Sequence, residues 1–162
     1  MVIDLSFVKN EFFLTSLAEY LNKLFQINKK IKGIVLFGSL ARNEEIYSEG
    51  KVSDIDIIVV FSDNELPNDP IERINHEIKL MELSASGIDS IWMTETEFKN
   101  AVKIKRDIIL SGLYEGKILL DPENLIKDQK ERLFKELREK GVIKRKDYWI
   151  WPLKYLGEEI EW

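Results

Sequence analysis

Apolar and polar residues alternate with helical spacing near the N-terminus and with strand spacing soon after it. Phe13, Leu17, Leu21, Leu24 and Phe25 fall on one face of a helix over residues 6–27, with charged residues elsewhere. Asn28-Lys29-Lys30 ends it. Residues 31–37 are a short, apolar, β-branched run and predict a first strand. Gly38 permits a sharp turn, and Ser39 is placed to cap a short helix over 40–45. A polar loop over 46–53, containing Gly50, leads to a second strand over 54–61. From Ile57 onward that strand is apolar on both faces, the pattern of a strand covered on both sides.

A turn-rich connection over 62–68 follows. Asp69-Pro70-Ile71-Glu72 opens a helix with an Asp cap, Pro at the first position and Glu set to reach back. Ile71, Ile74, Ile78 and Met81 form its expected buried stripe, and residues 84–87 break it. Residues 88–93 predict a third strand. Thr94-Glu95-Thr96-Glu97 is a capping box that opens a helix running to about 111 and stopping at Gly112. Residues 113–120, with a Glu115-Gly116 turn, predict a hairpin or edge strand. Asp121-Pro122 starts a last helix that ends near 140, before Gly141. The tail, 142–162, carries Tyr148, Trp149, Trp151, Tyr155 and Trp162. Strands alternating with helices imply an α/β (α+β) architecture, a mixed β-sheet flanked by helices.

Composition narrows this picture. The 162 residues suit one domain with a real core. A net charge of −5 argues against a protein that coats nucleic acid nonspecifically. With no cysteine and one histidine, His76, thiolate and His-rich zinc sites are excluded. No apolar run approaches the ~20 residues of a membrane span, and the N-terminus lacks a signal-peptide pattern, so a cytoplasmic protein is expected.

The candidate chemistry lies where the second strand begins. Side chains alternate along a strand, so Asp54 and Asp56 point the same way, at the mouth of an apolar core. Two such charges at ~4 Å repel by roughly 4 kcal/mol at an effective dielectric of about 20. They need a proton, a cationic partner or a metal, and hard oxygen ligands suit Mg²⁺ or Mn²⁺. Asp89, on the third strand, joins them if strands two and three are neighbours. Three carboxylates can then hold two metal ions for in-line phosphoryl displacement. The Gly38-Ser39 turn at a helix start offers N–H groups and a hydroxyl to phosphate.

The series Gly38-Ser39-Leu40-Ala41-Arg42, Ser53-Asp54-Ile55-Asp56 and Asp89 resembles the DNA polymerase β-like nucleotidyltransferase superfamily, and within it the small prokaryotic minimal nucleotidyltransferases. The resemblance implies the nucleotidyltransferase fold over 1–122, with 123–162 an extra C-terminal helix and aromatic tail packed on the same domain or on a partner. It implies that Gly38 and Ser39, with Arg42, hold the phosphates of a nucleoside triphosphate. It implies that Asp54 and Asp56 bind two Mg²⁺ ions, and that Asp89 completes the catalytic metal site and helps deprotonate the attacking hydroxyl. The implied reaction is transfer of a nucleoside monophosphate, AMP from ATP, with release of pyrophosphate. Small members pair with a helical HEPN partner in toxin–antitoxin systems and, as antitoxin, add AMP to a partner tyrosine. This chain departs from the pattern in its longer 40–53 stretch and in Asn43, where the family usually has Gly.

Other residues have plainer readings. Arg42 either reaches phosphate or pairs with Glu45 or another surface acid. Lys103, Lys105 and Arg106 read as a solvated helix face, His76 as a surface residue, Glu95 as a capping acid and Trp92 as core. The tail aromatics read as docking back or forming a subunit interface, which leaves a homo-oligomer open, rather than stacking bases. Two rival functions stand beside the HEPN-directed transferase. One is a non-catalytic protein that neutralises a partner by masking it, and the other is a transferase acting on a small molecule of the antibiotic type.

Overall fold

The computed structural model describes residues 3–27, 29–81, 87–146 and 148–152. Its centre is a four-stranded mixed sheet in the order β5-β4-β1-β6. The strands are β1 (Ile31–Phe37), β4 (Ile55–Phe61), β5 (Ile88–Thr94) and β6 (Lys117–Leu120). β4 and β5 run parallel, while β1 is antiparallel to both β4 and β6. Between β1 and β4 lie a short helix, α2 (Gly38–Arg42), and a small hairpin of β2 (Tyr47–Ser48) and β3 (Lys51–Val52). The extra length of the 40–53 stretch is folded into that hairpin. The left-handed backbone at Asn43 (φ +56°) turns the chain out of α2. Asn tolerates this conformation better than other non-glycine residues, so it does here what Gly does in the family pattern.

Alternation along β4 splits the core in two. Ile55, Ile57, Val59 and Phe61 pack with Phe13, Leu17, Tyr20, Leu21 and Leu24 of α1 (Glu11–Gln26). Ile58 and Val60 face the opposite layer, built by α4 (Glu95–Lys103), α5 (Asp107–Glu115) and α6 (Leu125–Glu139). Trp92 lies in the first layer and donates its indole N–H to the Tyr20 hydroxyl at 3.2 Å. Among the described residues no helix is long and apolar enough to cross a membrane.

Several local expectations are corrected. α1 begins at Glu11, not at residue 6, because Asn10 caps it by accepting the Phe12 N–H at 3.0 Å and the preceding residues form a turn. Phe25 is exposed, one step round the helix from Leu24. α2 begins at Gly38, so Ser39 lies inside it and no side chain caps it.

The single helix expected over 95–111 is two, broken at Lys105, which has φ +55°. Lys105 is not on a solvated face: it is buried, and its Nζ lies 2.9 Å from Glu136 of α6. Nor does Gly112 stop a helix. It lies within α5, where an added Cβ would meet the Ile58 side chain at 2.8 Å, so the missing side chain lets α5 approach the sheet. The last helix starts at Leu125; Asp121 accepts the backbone N–H groups of Ile126 and Lys127 from just ahead of it.

The helix after β4, α3 (Pro70–Met81), turns the other way from its expected stripe. Ile71, Ile74 and Ile78 are 70%, 52% and 42% exposed, and among the described side chains of this helix Leu80 is the one buried apolar residue. The side chain of Met81 and residues 84–86 lie outside the described residues. Positions 73, 76, 77 and 80 face inward instead. Arg73 is held there by the Pro67 carbonyl and by Glu97, and Glu77 by the backbone of edge strand β5 at Trp92. Polar anchors at the sheet edge outbid an apolar stripe. His76 is half-buried on this face rather than fully at the surface.

After α6 the chain forms a hairpin of β7 (Ile143–Lys144) and β8 (Trp149–Ile150). Trp149 packs on Tyr114 and stacks at 16° on Phe134, and Trp151 joins the same layer, so these two dock back as expected. Tyr148 is exposed, and Tyr155 and Trp162 lie outside the described residues.

Burial pushes the Glu77 carboxyl up from the ordinary 4.5 to about 7, against the Trp92 backbone and Arg73, which favour the anion. The folded state thus holds a proton that the unfolded chain releases first, so the stability of the wild type falls as pH rises from about 4.5 to about 7. Glu77→Gln removes this titration and still offers an acceptor to the backbone. Thermal melts should show the variant gaining on the wild type between pH 5 and pH 8; an equal difference at both would contradict the assignment.

Candidate active site

The site is built by the end of β1 and the starts of β4 and β5. Register fixes it: Phe37 is paired with Asp56, and Asp56 with Asp89. Lateral neighbours in a sheet project from the same face, so Asp56 and Asp89 lie side by side. Asp54 lies just ahead of β4, with Oδ1 at the bare backbone of Gly87 and its charge acting on Asp56. Of the three carboxylates expected to converge, Asp56 and Asp89 thus share one face, the one covered by α4, α5 and α6, and Asp54 stands at the mouth of β4. Asp54 and Asp89 are exposed, and Asp56 is half-buried.

Gly38 follows Phe37 directly and has φ +68°. A Cβ built on it would collide with Asp56 Oδ2, so the carboxylate lies on the bare backbone of the turn. The same device recurs at Gly87, where an added Cβ would stand 2.5 Å from Asp54 Oδ1. The Ile55 N–H, donating to the Gly87 carbonyl at 3.0 Å, ties the two segments together. Ser39, half-buried in the first turn of α2, sits next to this arrangement.

Burial first, then Asp89 and Asp54, push the Asp56 carboxyl above its ordinary value; Arg42 opposes them. Burial and the two acids outweigh Arg42, which is itself paired with two glutamates. Its Nε lies 2.8 Å from Glu44 and its Nη1 2.7 Å from Glu115. Of the readings for Arg42, the pairing with surface acids is the one observed, with Glu44 and Glu115 in place of Glu45. Glu115 was missed as a site neighbour because it lies far along the chain, at the end of α5.

Hard carboxylate oxygens are the donors that Mg²⁺ prefers. Among the described residues no group of three acidic, imidazole or thiol side chains lies close enough together to hold a metal ion by itself, so the expected three-carboxylate convergence on a metal is not formed by the side chains alone. Mg²⁺ is generally held by one or two carboxylates together with substrate phosphates and water, so the open row fits an ion that arrives with a nucleotide. Beside Gly38 and Arg42 a cavity of about 750 Å³ opens, with Lys144, Arg145 and Lys146 on its far wall. That volume lies within the usual range for ligand pockets. Lys103, Lys105 and Arg106 do not line it.

Several solved structures resemble this one. A chain in the crystal structure of a toxin–antitoxin complex with AMP-PNP is 20% identical, with 75% of this chain and 86% of that chain covered and a TM-score of 0.48. A chain in the complex of tri-AMPylated Shewanella oneidensis HEPN toxin with MNT antitoxin is 18% identical, with 79% and 87% covered and a TM-score of 0.47. A chain in the toxin–antitoxin complex MntA-HepT is 19% identical, with 78% and 87% covered and a TM-score of 0.44. No curated protein sequence matches the chain. The family model described as polymerase beta, nucleotidyltransferase, matches residues 19–124, a stretch that contains α2, the carboxylate row and the whole central sheet. On that match the chain belongs to the polymerase β nucleotidyltransferase family, and its enzymatic class is that of a nucleotidyltransferase.

Proposed function

We propose that this chain transfers AMP from ATP to a hydroxyl on a partner protein, with Mg²⁺ held by Asp54, Asp56 and Asp89. The observation that carries the reading is the in-register pair Asp56 and Asp89, with Asp54 at the mouth of β4, beside the bare turn at Gly38. Backbone N–H groups of the turn and the Ser39 hydroxyl bind the terminal phosphates, and Arg42 adds charge at their side. The acceptor oxygen attacks the α-phosphorus in line. The bond from that phosphorus to its bridging oxygen breaks, and pyrophosphate leaves with the electron pair. Asp89, the exposed member of the strand pair, takes the hydroxyl proton. Magnesium, when bound, supplies positive charge to the phosphates and acidity to the attacking hydroxyl. Residues 1–122 carry this chemistry, and the C-terminal segment that follows is accessory; its described part, 123–146 and 148–152, packs on the α4–α5 face of the sheet.

A protein acceptor is favoured by the exposed row Ile71, Ile74 and Ile78 on α3, a surface of the kind that a helical partner covers. We take that partner to be a HEPN-type toxin, with this chain as the antitoxin; the Shewanella oneidensis complex above pairs an MNT antitoxin with such a toxin. The same row favours a second reading, in which neutralisation is by masking alone.

Two experiments test this. The protein, its neighbouring gene product and labelled ATP should give a labelled partner. Asp54→Asn with Asp56→Asn should cut labelling by about a hundredfold or more. An unlabelled partner with wild-type protein sinks the transfer reading, and full neutralisation by the double variant would favour masking. Separately, Gly38→Ala should lower stability by about 1–3 kcal/mol, because it forces a side chain into positive φ. The same change should weaken nucleotide binding by displacing Asp56; an unshifted melting temperature would contradict the geometry of the turn.

A further inference from the structure

A triphosphate needs more positive charge than Arg42 can lend, since both arms of its guanidinium are already on glutamates. The helix after β5 does not supply it: Lys105 is committed to Glu136, and none of Lys103, Lys105 and Arg106 lines the cavity beside the turn. The cations on the cavity wall come instead from the C-terminal hairpin, beyond the stretch that the family model matches.

We propose that Arg145 and Lys146, in the turn of the β7–β8 hairpin, are the second half of the triphosphate site and bind the terminal phosphates of the nucleotide. The proposal rests on the nucleotidyltransferase reading above and names the phosphate-binding residues that it leaves open. Among the described residues the cavity wall carries four cations, Arg42, Lys144, Arg145 and Lys146, against two carboxylates, Glu44 and Glu115. It is a positive patch on a chain with net charge −5, and such a patch concentrates anions.

The four cations divide into two kinds. Arg42 and Lys144 hold the wall together. Glu115 offers one oxygen to Arg42 at 2.7 Å and the other to Lys144 at 3.7 Å. Lys144 Nζ also donates to the Lys146 carbonyl at 2.8 Å and lies over the Trp149 ring. The Arg145 N–H donates to the Tyr148 carbonyl at 2.8 Å, closing the turn. The backbone that carries Arg145 and Lys146 is therefore fixed by its neighbours. Their own side chains are exposed and, among the described residues, form no close ion pair; Lys146 acts on Glu44 only through space. An exposed cation that need not break a close ion pair is available to a phosphate.

Geometry selects the ligand class. Gly38 touches Asp56 and also lines the cavity, whereas none of Asp54, Asp56 and Asp89 lines it. A phosphate chain that continues past the turn enters the cavity, so a polyphosphate rather than a monophosphate is the ligand assigned to Arg145 and Lys146.

Calorimetric titrations of the full chain in Mg²⁺ with ATP, AMP and tripolyphosphate test this, for wild type and for Arg145→Ala with Lys146→Ala. The variant should bind ATP and tripolyphosphate about tenfold or more weakly, the loss of one or two charge-assisted contacts, and AMP as before. Its affinity for ATP should also depend less on salt. Arg145→Lys should keep most of the affinity. An unchanged melting curve separates these effects from misfolding. Wild-type affinity for ATP in the double variant, or an equal loss for AMP, overturns the hairpin's role and leaves the nucleotidyltransferase reading standing. Failure of the wild type to bind ATP at all overturns both.

Discussion

The carboxylate of Asp56 occupies the space that a side chain at position 38 would need. The rest of the site follows from that contact. It requires β1 to end where β4 begins, in the register that pairs Phe37 with Asp56, and it requires the chain to leave β1 with a positive φ. The parallel register of β4 and β5 then brings Asp89 alongside. A half-buried acid with two acidic neighbours is an unfavourable arrangement, and its raised proton affinity expresses that. Arg42 would relieve it if it were free, but Glu44 and Glu115 hold it. The local excess of negative charge is left for an incoming cation to neutralise.

Such a site needs a rigid mount, and the two-sided core provides one. Beyond Asp56 every residue of β4 is buried, alternately against α1 and against the α4–α5–α6 layer. Gly112 lets α5 lie close on β4 and on the end of β1, so the helix that carries Glu115 is pressed against the strand that presents the turn. On the opposite face α3 contributes little apolar packing. It is fastened to the sheet edge by Arg73 and Glu77, which leaves its isoleucines outside.

The strands, the carboxylate row and the capping box at Thr94 were legible because each is local. A run that is apolar on both faces, two acids spaced by two, and Thr and Glu spaced by three each carry their own geometry. What escaped was decided by distant partners. Lys105 looks like any lysine on a polar face until Glu136, on another helix, draws it inward and the backbone breaks in the left-handed region. Gly112 reads as a helix stop unless the side chain of Ile58 is known to lie beneath it. The stripe on α3 was read by periodicity, and periodicity names a face without saying which way it points. That Arg42 pairs with a surface acid is within reach of the sequence, but which acid is not, since its second partner is seventy-three residues away.

In the hairpin the Lys144-Arg145-Lys146 run sits among tryptophans and tyrosines, and nothing local marks it as part of a site. The aromatics are the mount: Trp149 packs on Tyr114 of α5 and Phe134 of α6, and so sets the hairpin over the C-terminal end of α5. That end carries the negative pole of the helix dipole as well as Glu115, and cations are stabilised beside both. Lys144 meets Glu115 from the hairpin side, and Arg42 meets it from α2. One carboxylate thus joins the segment beyond the family domain to the helix that opens at the Gly38 turn. Charge at the hairpin and charge at the turn are parts of one electrostatic unit, so a change in either is felt at the carboxylate row through Arg42.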